Sequence, residues 1–136
     1  MLKRFTISIE QELLDDFDTY MQQHQYKNRS EAIRDLIRER FVQNEWAADK
    51  DVMCVISLVY DHHKPQVQEK ITALQHEYHH QIVSTTHVHM DHDNCLEVII
   101  IRGKAEEVQA LADNLLALRG VRYGNLAMNS TGEHLH

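Results

Sequence analysis

Lys3-Arg4-Phe5-Thr6-Ile7-Ser8-Ile9 alternates without a break, Phe5, Ile7 and Ile9 on one face of a strand and Arg4, Thr6 and Ser8 on the other. From Glu10 the period changes, and Leu13, Leu14, Phe17, Tyr20 and Met21 fall on one helical stripe. Asn28-Arg29-Ser30-Glu31 then reads as a capped helix start, with Asn28 as N-cap, and Ile33, Leu36, Ile37 and Phe41 extend the stripe. One strand and two short amphipathic helices can neither satisfy the strand's edges nor bury its apolar face. The segment requires a second copy, with the two strands paired as a ribbon from which Arg4, Thr6 and Ser8 of both chains project together.

This is the ribbon-helix-helix arrangement, whose ribbon enters the DNA major groove. Arginine can make a bidentate contact to guanine, and Thr and Ser can donate or accept at several base edges. The free N–H groups near Asn28 and Arg29, at the start of the second helix, suit a phosphate. The net charge of −7 argues against simple coating of nucleic acid, but it is unevenly spread. Residues 1–44 hold seven Lys/Arg against eight Asp/Glu, whereas residues 45–136 hold seven against thirteen. The relative basicity therefore lies in the N-terminal segment.

The polar residues 43–51, Gln-Asn-Glu-Trp-Ala-Ala-Asp-Lys-Asp, separate two patterned regions. The expected division is a DNA-binding domain over 1–44, a linker over 45–51 and a second domain over 52–136. Trp46 is placed to pack the linker against one domain. Val52–Tyr60 reads as an apolar strand, Pro65 to about His79 as a helix, Ile82–His89 and Cys95–Arg102 as a hairpin, the Val108–Leu116 stripe as a helix, and Val121–Met128 as a strand. The order βαββαβ is that of the ferredoxin-like fold, so the whole chain is α+β. No apolar run reaches the length of a membrane span, and the N-terminus lacks the apolar core of a signal peptide, so the cytoplasm is expected. Of the two cysteines, Cys54 sits inside an apolar strand and reads as core, while Cys95 is left as a free thiol.

The hairpin carries the chemistry. In Thr86-His87-Val88-His89-Met90-Asp91-His92-Asp93-Asn94-Cys95, His87 and His89 leave the same face of a strand. A symmetric closure puts Cys95 opposite His89, forming an N,N,S triad. Val88, Leu96 and Val98 occupy the alternate face and are expected to lie under the helices. The triad, with Val83, Ile99 and Ile101, would then face outward and call for a covering subunit. On that geometry His76 would have to complete the site from a second subunit, although His79 or His80 could serve as well. Three imidazoles and a thiolate suit zinc, nickel, copper or cobalt. No general base is evident beside them apart from Glu97, which disfavours catalysis.

Taken together, Arg4, Thr6 and Ser8, the run Asn28-Arg29-Ser30-Glu31-Ala32-Ile33-Arg34-Asp35, His76, and His87-Val88-His89 with His92, Asp93 and Cys95-Leu96-Glu97 resemble the NikR family of nickel-responsive ribbon-helix-helix repressors across nearly the whole chain. The resemblance implies one Ni(II) per subunit, held in a plane by His87, His89, Cys95 and a neighbouring subunit's His76. It implies a homotetramer, two DNA-binding dimers around four ACT-like regulatory domains, that binds a palindromic double-stranded operator when nickel is present and controls nickel uptake. It further implies supporting roles for Tyr60, His62 and Glu97, and a cation site near Glu31 and Asp35. One extra residue before Arg4, and Ser8 where a threonine is common, depart from the family pattern. A sensor of zinc, copper or cobalt on the same scaffold is the nearest alternative.

Overall fold

The computed structural model describes all 136 residues, and the chain forms two compact units, Met1–Glu39 and Arg40–His136. In the first, α1 (Gln11–Gln23) is followed by α2 (Arg29–Ala47), which continues into the second unit. The expected cap at the start of α2 is present, with the Glu31 N–H donating to Asn28 Oδ1 at 3.0 Å. Leu14, Phe17, Tyr20 and Met21 of α1 are half-buried, and Ala32 of α2 is buried. No helix in the chain is long and apolar enough to cross a membrane.

Residues 3–9, expected as a strand, pair with nothing inside their own chain. A lone strand has no neighbouring edge with which to share its N–H and C=O groups. Phe5 and Ile7 are accordingly 71% and 57% exposed. Leu36, Ile37 and Phe41 of α2 are also exposed, so the apolar stripe read from the sequence is left largely uncovered by a single chain.

The second unit holds β1 (Asp51–Asp61), α3 (Pro65–Glu77), β2 (Ile82–His89), β3 (Asn94–Lys104), α4 (Ala105–Leu116) and β4 (Val121–Ser130). Its four strands form one sheet in the order β2-β3-β1-β4, antiparallel throughout, which is the expected βαββαβ topology. No residue between Gln43 and Ala47 breaks a helix, so α2 runs on to Ala47, and Asp49 then takes the left-handed conformation, φ 54°. Trp46 belongs to the core of this unit and donates its indole N–H to the Asn129 carbonyl at 2.9 Å. Gly120, at φ 103°, makes the turn into β4 beside Val67.

The face covered by the helices is the opposite of the one expected. Val52, Cys54, Ile56, Leu58 and Tyr60 of β1 and Cys95, Ile99 and Ile101 of β3 are buried with Val67 and Ile71 of α3 and Val108, Leu111 and Leu115 of α4. Leu96, Val98 and Ile100 lie on the helix-free face, half-buried. Both faces of β3 are apolar, so its alternation could not choose between them. β1 decides: its other face carries Ser57 and Asp61 and cannot form the interior.

β2 contains a register shift between Ile82 and Ser84. Ile82 pairs with Ile101, but from Ser84 onward the pairing moves by one, so that His87 lies opposite Glu97 and His89 opposite Cys95. Val83, expected to face outward with the histidines, is 59% exposed, but it lies at the shift and has no partner in β3. The bulge sets the two halves of β2 one residue out of phase.

Candidate metal centre

The pairing of His89 with Cys95 was legible in the sequence, and the structure carries it through to the side chains. Cys95 Sγ lies 3.3 Å from His89 Nδ1. Metal–sulfur and metal–nitrogen bonds of about 2.3 and 2.05 Å put two donors on one ion about 3.1 Å apart at a right angle and about 3.6 Å apart at a tetrahedral angle. The observed separation falls between, so the pair needs little movement to share an ion. Burial, and after it the carboxylate of Glu97, raises the Cys95 thiol above the ordinary cysteine range. A bound cation would oppose both effects and favour the thiolate.

His87 occupies a different position. Its Nδ1 is 2.8 Å from Glu97 Oε2 and 3.1 Å from the Tyr60 hydroxyl, and Tyr60 also donates to Glu97 Oε2 at 3.3 Å. Gln75 of α3 donates to the other oxygen, Oε1, at 3.4 Å and accepts from Thr85 at 3.2 Å. Glu97 is only 7% exposed, and this cradle accounts for a charged residue at such a depth. An imidazole whose Nδ1 proton is held by a carboxylate presents an unprotonated Nε2, the tautomer suited to metal ligation. The His87 and His89 rings stand 4.8 Å apart.

Around Cys95 the donor atoms that converge within one chain are those of His62, His89 and Cys95, all within 4.8 Å of one another, without His87. The His62 ring meets the His89 ring edge-on at 5.5 Å, and its Nδ1 is buried without a hydrogen-bond partner. A buried nitrogen with no partner is costly unless something binds it. Periodicity puts His62 on the buried face of β1, and only the pairing of the strands brings that face to Cys95. The buried face of β1 runs through Leu58 and Tyr60, Tyr60 pairs with Cys95, and the next side chain in that alternation is His62.

His76 does not join the group. The reason differs from the one expected, because α3 lies on the same side of the sheet as the histidines and Gln75 reaches Glu97 directly. One residue further round the helix, His76 is exposed and lines a shallow depression with Pro65, Gln68 and Thr72, its ring 6.1 Å from that of His79. The rotation of the helix turns it away, rather than the sheet.

In the first unit Arg4, Thr6 and Ser8 are all exposed. Arg29 forms a two-pronged ion pair with Asp18, at 3.1 and 3.0 Å, that ties the start of α2 to α1. Asp35 accepts from the Tyr26 hydroxyl at 2.7 Å and lies 3.6 Å from Arg38, while Glu31, one turn earlier on α2, is half-buried.

Residues 53–129 match the family model described as the NikR C-terminal nickel-binding domain, and residues 3–43 match that of ribbon-helix-helix proteins of the copG family. A protein of Desulfotalea psychrophila, named "Putative nickel-responsive regulator", is 65% identical over the full length of both chains. A protein of the same name from Geotalea uraniireducens is 49% identical over 98% of this chain and 96% of its own. Among solved structures, an uncharacterized protein from Thermotoga maritima superposes with a TM-score of 0.52 at 12% identity, over 58% of this chain and 98% of that one. That last likeness concerns the fold alone.

Proposed function

The chain belongs to the NikR family of nickel-responsive ribbon-helix-helix regulators, and from that premise we propose that it represses transcription when Ni(II) occupies a site shared between two subunits. It is a nickel-responsive transcription regulator with a nickel-binding C-terminal domain and a DNA-binding N-terminal domain, and not an enzyme. The observation that carries the finer reading is the opposition of His89 and Cys95 at 3.3 Å, beside a His87 whose Nδ1 is held by Glu97.

His87, His89 and Cys95 would hold one Ni(II) per subunit, with His76 supplied by a neighbour and His62 standing by as an additional donor. Strong-field nitrogen and sulfur donors favour a square-planar site for this ion. Glu97 fixes the tautomer of His87, Tyr60 holds Glu97, and Gln75 links the cradle to α3. His76 faces away from its own Cys95, which suits donation across an interface. The helix-free sheet face, with Val55, Val59, Leu96, Val98 and Ile100 half-buried, fits a second subunit, and two ribbon dimers on four such domains make a homotetramer.

Paired ribbons would present Arg4, Thr6 and Ser8 to bases of a palindromic operator, with Asn28 and Arg29 near the flanking phosphates. For Arg29 to reach a phosphate it must leave Asp18. Because the ion and the DNA occupy separate ends of the chain, nickel acts only by its differential affinity for the arrangement of ribbons that fits two half-sites. Control of nickel uptake is the output we infer, with the protein in the cytoplasm.

The test is to select operator DNA from a random pool in the presence of Ni(II) and to measure binding with and without the ion. His76→Ala chains are then mixed with Cys95→Ala chains. After verified subunit exchange, the mixture should regain part of the Ni–thiolate absorption and of the nickel-dependent DNA binding. A mixture as silent as its parents would overturn the shared site.

A further inference from the structure

Arg122 is passed over where β4 pairs with β1: Tyr123 lies opposite Val59 and Val121 opposite Tyr60. Unbroken pairing would set Arg122 across from Tyr60, on the buried face, where taking a guanidinium out of water is costly. The bulge frees it from that position, and a bulge beside a functional site commonly re-aims a side chain in this way. Its guanidinium bridges two other elements. Nη1 donates to Asn94 Oδ1 at 2.6 Å and Nη2 to Asp61 Oδ2 at 3.3 Å. Asp61 and Asn94 face one another as the last pair of the β1–β3 ladder.

Each of the two also anchors the loop beyond it. Asp61 Oδ1 accepts the His63 N–H at 2.9 Å and the Asp61 carbonyl accepts the Lys64 N–H at 3.1 Å, which fixes the turn into α3. The Asn94 carbonyl accepts the Met90 N–H at 3.0 Å and its own N–H reaches Asp91 Oδ1 at 2.8 Å, which closes the loop between β2 and β3. His62 and Cys95 follow these anchors directly in sequence. The ion pair is also better shielded than its counterpart at the far end of the same ladder, Arg102 with Asp51. The carboxylate side chain is 16% exposed in Asp61 and 47% in Asp51, so water screens the first pair less. We propose that Arg122 is a positioning residue for the nickel centre. It touches no donor, but it pins the residues ahead of His62 and Cys95, so that the imidazole and the thiol are held where His89 meets them. A planar guanidinium reaches two acceptors with two separate nitrogens, which the single ammonium of a lysine does not. The inference rests on the Cys95 centre proposed above.

The test compares full-length Arg122→Ala, Arg122→Lys and Arg102→Ala with the parent. Nickel affinity is read by chelator competition with Ni–thiolate absorption, and amide hydrogen exchange is read by NMR on the metal-free protein. Arg122→Ala should bind nickel about 10-fold more weakly, the lower end for groups that orient ligands from outside the coordination shell. It should also speed exchange at residues 60–63 and 93–95 while Ile99 keeps the parental rate. Arg122→Lys should stay weaker than the parent, whereas Arg102→Ala, which removes the other ion pair, should bind nickel as the parent does. Parental affinity in Arg122→Ala overturns the proposal, as does unchanged exchange at residues 60–63 and 93–95. Parental affinity in Arg122→Lys overturns it too, by leaving only a charge effect, and equal weakening in Arg102→Ala or faster exchange at Ile99 does so by marking general loosening. Failure of the centre itself reads differently: the nickel absorption would survive in Cys95→Ala, while exchange measured without metal would still report on the clamp.

Discussion

Replacing Glu97 separates a ligand from the group that aims it. The carboxylate is 7% exposed and 2.8 Å from His87 Nδ1, with Tyr60 and Gln75 at 3.3 and 3.4 Å completing its partners. In Glu97→Gln the side chain keeps its shape and still offers one oxygen to Nδ1–H, but it no longer polarises the ring toward the ion. Groups in this position typically contribute about 10–100-fold to metal affinity. That corresponds to about 1.4–2.8 kcal/mol of nickel binding. Glu97→Ala should fall at or beyond the upper end, since it leaves Nδ1–H without an acceptor at a depth where water enters poorly. The assay is competition with a chelator of known affinity, followed by Ni–thiolate absorption, alongside thermal unfolding of the metal-free protein. That unfolding should move little in Glu97→Gln, because the charge removed was itself costly to bury. Parental affinity in Glu97→Gln would refute the idea that the carboxylate tunes His87. Complete loss of binding would refute it from the other side, by making Glu97 a ligand.

At the other end of the chain, Arg4→Ala should cost about 1–3 kcal/mol of operator binding and relax base preference. Arg29→Ala should weaken binding evenly across sequences and flatten its salt dependence, as measured by filter binding over a range of salt. Gly120→Ala should destabilise the protein by about 1–3 kcal/mol in urea unfolding, because the residue sits at φ 103° and a Cβ there would run into Val67. Acid should act on the first unit through Asp18, whose carboxyl is held below the ordinary range first by its hydrogen bond from Arg29. A depressed carboxyl stabilises the fold above its unfolded pKa, about 3.9, and that contribution is lost as the pH falls through the lower folded value. The stability gap between the parent and Asp18→Asn should therefore hold at neutral pH and close only below about pH 4.

Much of the architecture was legible because its signals were local. The switch from period two to a helical period after Ile9, the cap at Asn28, and the two strands closing around residues 90–94 each depend on neighbours in sequence. So does the opposition of His89 and Cys95, since a short hairpin fixes its own register. What could not be read depended on comparing distant segments. β3 offers two apolar faces, and only β1, with Ser57 and Asp61 on one of them, decides which turns inward. The approach of His62 to His89 follows from the pairing of Tyr60 with Cys95, a separation of 35 residues that pattern alone does not bridge. The outward turn of His76 depends on how α3 is rotated on the sheet, which the stripe Val67, Ile71, Leu74 and Tyr78 constrains only loosely.

The extra residue in β2 frees the chain from a conflict. The core end of that strand needs Ile82 across from Ile101, and the hairpin end needs His89 across from Cys95, yet the two demands are out of step by one position. A strand with uninterrupted pairing could meet only one of them. Either Ile82 would rotate out of the interior, or both histidines would swing to the helix-free face while the thiol stayed behind. With the mismatch absorbed near Val83, the two ends of one strand can be altered separately: substitutions that retune the ion need not disturb the packing, and repacking near Ile82 need not misalign the ligands.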